Sequence, residues 1–235
     1  MRTMNPGEAA RAVVEERHPA ARAAFLGGSV LTARRTDRSD LDIVVLLPDG
    51  DPDVYRESFW YGPWPVELFS HTEARWRGFV DREIPLRRSP LLFMCAEGEL
   101  LFDRDGGGAL LAAEAARLVA AGPPAVTVEE LEVERYRLTD LLDDLAGCTD
   151  PGERLCIVGD IARNTGRLLL LSQGAWLGGG KWLARRTDAV RPGFSGDMHR
   201  TVREALDGRT DALVALVDEV LALVGGRFWE GFRRG

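Results

Sequence analysis

The stretch Phe25-Leu26-Gly27-Gly28-Ser29 is followed, after nine residues, by Ser39-Asp40-Leu41-Asp42-Ile43-Val44-Val45-Leu46. Side chains alternate along a strand, so Asp40 and Asp42 share one face and Leu41 takes the other. At a rise of ~3.3 Å per residue the two carboxylates lie about 7 Å apart, and they repel unless a cation sits between them. Carboxylates at the start of a buried strand form an oxygen-ligand set suited to Mg²⁺. Gly28 lets the backbone approach a phosphate closely. Ser29 is expected to cap a short helix running through Arg35, whose free N–H groups and dipole favour an anion. Glu67 stands within Trp64-Pro65-Val66-Glu67-Leu68-Phe69-Ser70. A carboxylate amid apolar strand residues is costly unless it is paired or metal-bound. If its strand lies beside the 41–47 strand, Glu67 faces Asp40 and Asp42 as a third metal ligand, a general base, or both. Each fragment alone admits a plain structural role, as a turn, an Asx-type turn or a solvated edge. Their conjunction, in order and in matching secondary structure, favours a site.

Gly28-Ser29, then Ser39-Asp40-Leu41-Asp42, then Glu67 resemble the signature of the DNA polymerase β-like nucleotidyltransferase superfamily, over roughly residues 24–70. The later helical part resembles the second domain of small-molecule members such as the aminoglycoside nucleotidyltransferases, without a sharp motif. The resemblance implies a nucleoside triphosphate with its phosphates at Gly28 and Ser29, and with Ser39 as a further nucleotide-binding residue. It implies one or two Mg²⁺ ions on Asp40 and Asp42, with Glu67 completing the metal shell or taking the acceptor proton. A small-molecule hydroxyl would attack the α-phosphorus and expel pyrophosphate. ATP and a cationic, aminoglycoside-like antibiotic, hence a role in antibiotic resistance, are the first expectations for the two substrates. Two other functions fit the same residues. One is a protein AMP-transferase serving as the antitoxin of a helical ribonuclease toxin. The other is a non-catalytic nucleotide-binding module.

The elements that must position these residues can be read around them. Residues 7–24 read as a helix interrupted at Pro19, followed by a short strand at Phe25-Leu26. Residues 41–47 read as a buried strand, and 54–61 with 65–70 as a hairpin across Gly62-Pro63-Trp64. A helix over 72–84, a strand at 99–103 and a helix over 108–121 complete this half. Pro123-Pro124 marks a boundary, so residues 1–122 are expected to form a catalytic domain and 123–235 a helical substrate-binding domain. Helices are expected near 128–146, 152–173, 181–188, 197–207 and 209–224. The fold class is therefore α+β, a mixed sheet flanked by helices followed by an all-helical domain.

Composition bounds the alternatives. The chain has 235 residues, 45% of them apolar, enough to bury a core. Its apolar runs are too short for a membrane span, no secretory signal is visible, and a cytoplasmic location is expected. Three cysteines without a Cys-x-x-Cys argue against a disulfide or zinc scaffold. His18, His71 and His199 have no ligand spacing. A net charge of −7 argues against a nucleic-acid partner. The acidic helix over 128–146, with Glu129, Glu130, Glu132 and Glu134, reads as a solvated face or as a wall for a polyamine-like acceptor. The tryptophans read mostly as core and interface anchors. Among thirty basic residues one is a lysine, Lys181, after Gly178-Gly179-Gly180. Ala175 and Trp182 break a Walker A pattern there. Lys181 reads either as a solvated helix start or as a phosphate contact carried by the glycine loop across an interdomain cleft. The oligomeric state is not legible.

Overall fold

The computed structural model describes residues 4–234. The chain divides into two compact units, Met1–Gly122 and Pro123–Gly235.

The first unit begins with α1, Pro6–Arg17, entered through a capping box in which Asn5 and Glu8 bond each other's backbone N–H. The strands β1, Ala23–Gly27, and β2, Leu41–Leu47, follow. Next come β3, Arg56–Tyr61, β4, Trp64–Thr72, and α2, Glu73–Glu83. The unit closes with α3, Pro90–Glu97, β5, Glu99–Asp103, and α4, Gly107–Ala121. The five strands form one mixed sheet in the order β3-β4-β2-β1-β5. β4 returns from the edge strand β3 and pairs parallel with β2, while the other pairings are antiparallel.

Alternation divides the sheet's residues between two faces. Leu41, Ile43, Val45, Val66 and Leu68 turn towards α1 and form a core with its Ala9, Ala10, Val13 and Val14. Burying each such Leu or Ile side chain contributes about 1.5–3 kcal/mol. Asp42, Val44 and Leu46 turn to the opposite face, where α3 packs on β1 and β2 and α2 packs on β4. Gly27 pairs with Asp42 and meets the Met94 side chain of α3, so α3 and the acidic residues share that face.

The second unit is helical: α5, Val128–Gly147; α6, Pro151–Ser172; α7, Lys181–Val190; α8, Phe194–Leu206; and α9, Asp211–Ala222. Thr127 and Glu130 form a capping box at the start of α5, and Asp150 caps α6. Leu138, Leu142, Ile161, Leu168, Phe194, Leu213, Val217 and Val220 belong to its core. The segment after α9 is fastened to α5. The Arg135 guanidinium donates to the carbonyls of Gly225 and Gly226 at 2.9 and 2.8 Å, and Phe232 stacks on Tyr136 at 3.9 Å. Among the described residues no helix is long and apolar enough to cross a membrane. Together the units make an α+β sheet domain followed by a helical region.

Several local expectations change. The helix expected to continue past Ser29 is a 3₁₀ turn of three residues, Ser29–Leu31, with Gly28 at its N-cap and no side-chain cap bond. Thr32, only three residues beyond Ser29, is already extended. Helix α3 was not expected: its core, Leu91-Leu92-Phe93-Met94-Cys95, is apolar throughout and shows no helical period. Glu134 is buried rather than solvated, held by Arg137 and Arg167 at 3.0 Å each. Trp76 and Trp176 are buried, but Trp60, Trp182 and Trp229 are exposed.

Candidate active site

The parallel pairing of β2 and β4 assembles the acidic residues. Its register sets Asp42 directly beside Glu67. Asp40, two residues before Asp42, falls on the same face by the alternation of side chains. One carboxylate oxygen from each of Asp40, Asp42 and Glu67 lies within 4.8 Å of the others, and all three side chains are half-buried. Three negative charges at such spacing repel by about 1 kcal/mol per pair even in water-like surroundings. They also offer a hard divalent cation three oxygen donors converging on one point, and the donor chemistry suits Mg²⁺ or Mn²⁺.

The glycine turn supports this cluster from β1. Gly28 has φ 84° and ψ −169°, a conformation that is essentially confined to glycine. A Cβ at this position would land on Oδ2 of Asp42. The glycine therefore makes room for the carboxylate itself, a closer requirement than the approach of a phosphate expected from the sequence.

Ser29 and Ser39 are buried, and their hydroxyl oxygens lie 3.3 Å apart. Ser39 Oγ accepts the Thr36 N–H at 3.0 Å, which closes the loop that brings the chain back to Asp40. The two serines thus meet across the loop that joins Gly28 to Asp40. Lys181 belongs to the other compact unit, where it is the exposed first residue of α7. The neighbouring Arg185 guanidinium lies 4.7 Å from the Trp182 ring centre.

One residue at the site was missed in the sequence. Arg56, at the start of β3, donates from Nη2 to Glu67 Oε2 at 2.9 Å and lies over the Phe69 ring at 4.9 Å. The antiparallel register pairs Arg56 with Phe69 and Ser58 with Glu67, so Arg56 reaches Glu67 diagonally across the ladder. The available signal was its position in a hairpin partner strand of the one that carries Glu67. With twenty-nine arginines in the chain, that signal does not stand out.

Lower on the same strand face, four residues past Glu67, His71 is buried and packs edge-on against Phe79 at 5.1 Å. Burial pulls its pKa down to about 4.

Neither a scan against protein-family models nor a search of curated proteins finds a match. Among solved structures, the chain is similar to a nucleotidyltransferase-like protein from Exiguobacterium sibiricum at 14% identity. The alignment covers 92% of this chain and 74% of that one, with a TM-score of 0.46.

Proposed function

We propose that this chain is a divalent-metal-dependent nucleotidyltransferase that moves a nucleoside monophosphate from a nucleoside triphosphate to a hydroxyl of a small molecule. The observation that carries this reading is the convergence of Asp40, Asp42 and Glu67 on one sheet face, beside a glycine turn shaped around Asp42. AMP from ATP, and a cationic aminoglycoside-like acceptor, are the substrates to try first. The sheet unit would be the catalytic domain and the helical unit the substrate-binding one.

Asp40, Asp42 and Glu67 would hold the cation, and when bound it would neutralise and align phosphate oxygens for in-line displacement. The residues of the chain do the rest by positioning. The Gly28 turn fixes Asp42, and the Ser29–Ser39 contact fixes the loop before Asp40. In the displacement an acceptor oxygen bonds to the α-phosphorus while the bond to the pyrophosphate oxygen breaks. The acceptor proton leaves to a nearby carboxylate or to water.

The test is pyrophosphate release with Mg²⁺, each nucleoside triphosphate and a panel of hydroxyl acceptors, followed by mass analysis for a nucleotide adduct. Asp42→Asn should lower turnover by at least about a hundredfold with the fold intact, the scale of losing a metal ligand. Full activity in that variant would remove the metal assignment. Adducts found only on a protein, and on no small hydroxyl compound, would move the acceptor to a protein side chain.

A further inference from the structure

Arg56 brings a guanidinium onto the acidic cluster at Glu67. Its guanidinium bonds Glu67 Oε2 at 2.9 Å, while its side chain stays 62% exposed and rests against the Phe69 ring. Glu67 itself is less exposed, at 32%. The carboxylate is therefore held by the sheet, and the guanidinium reaches it from solvent on a long stem. A divalent cation bound by the three carboxylates would draw on the same Glu67 and repel the positive charge beside it.

We propose that Arg56 is a built-in counter-cation: it holds Glu67 in the metal-free site and is displaced when a divalent cation binds. This rests on the metal reading of the cluster above. In the metal-free protein the guanidinium offsets part of the mutual repulsion of the carboxylates, reaching Glu67 from the β3 side. On metal binding it gives up Glu67, at a small cost because the pair is solvent-exposed. Arg56 acts here through Glu67, as a positioning residue.

The experiment is a Mn²⁺ titration of the full chain, without nucleotide, read by calorimetry or by the electron paramagnetic resonance of free Mn²⁺. Arg56→Gln should bind Mn²⁺ about two- to fivefold more tightly than the parent, the size of one exposed ion pair. The difference should shrink as KCl is raised from low salt to about 0.5 M, because screening weakens the competitor. Arg56→Lys should restore the parent affinity, since it restores the charge. Unchanged or weaker binding in Arg56→Gln would overturn the proposal, the weaker case making Arg56 a buttress of the ligand set. If neither parent nor variant binds Mn²⁺, the metal reading fails and this inference fails with it. Binding in the parent without the expected gain defeats this inference alone.

Discussion

At position 28 two demands coincide: a backbone conformation that glycine alone adopts readily, and a carboxylate oxygen standing where any side chain would begin. Gly28→Ala should therefore cost about 1–3 kcal/mol in stability and also push Asp42 out of the cluster. Denaturant unfolding and Mn²⁺ binding should both register the change. Gly27→Ala is the control: its Cβ would press on the Met94 side chain, so stability should fall while metal binding persists. His71 supplies a second residue-scale prediction. Its folded pKa of about 4 lies below its ordinary 6.5, so only the unfolded chain takes up this proton between those values. Stability should accordingly fall as pH drops from 6.5 towards 4, with a full loss on the order of 3 kcal/mol. His71→Phe should flatten that part of the stability–pH curve, and a parallel loss in parent and variant would refute the assignment. The carboxylates of the cluster could be picked out in the sequence because Asp-x-Asp beside an apolar run breaks a local rule. The tie between Gly28 and Asp42 could not, because it depends on the register of β1 against β2. Arg56 was hidden for the same reason, since its place depends on the register of β3 against β4.

Elements with a marked period or a marked cap are the ones that the sequence describes well. The buried strand expected over 41–47 is β2, and the helices expected near 128–146 and 152–173 are α5 and α6 within a residue at each end. Helix α3 fails on period, although Ser89 as N-cap and Pro90 at the first helical position were visible start signals. The turn after Gly28 fails in the other direction. Ser29 suits a cap, but Gly28 takes that place, and Thr32 bonds back to the Ser29 carbonyl and ends the turn. That the 65–70 strand lies beside β2 was only a condition in the sequence argument, and its parallel direction was not read at all, since parallel pairing leaves no local mark. Two measurements belong to this scale. Thr127→Ala removes one half of the α5 capping box and should lower stability by about 1 kcal/mol. Glu134→Ala leaves Arg137 and Arg167 without their shared carboxylate between α5 and α6. It should cost about 1–3 kcal/mol by thermal or chemical unfolding.

Each of the two units contains its own apolar core, one around β2 and α1 and one around α5, α6 and α9. The helical unit should therefore fold when residues 123–235 are produced alone, giving a helical far-ultraviolet spectrum and a cooperative melt. A non-cooperative, largely unstructured fragment would show that its core does not suffice. The three thiols should differ by environment: Cys156 is exposed, whereas burial pushes the Cys95 thiol up to about 12. Thiol reagents should mark Cys156 readily and Cys95 only after unfolding. The strong use of arginine has a practical consequence of its own. Lys181, exposed at the start of α7, carries the one ε-amino group in the sequence. An amine-reactive dye thus finds a single side chain, with the terminal α-amino group as its rival amine, and peptide mapping tells the two attachments apart. If nucleotide slows attachment at Lys181, the phosphate-contact reading gains support, and unchanged labelling returns the residue to a solvated helix start.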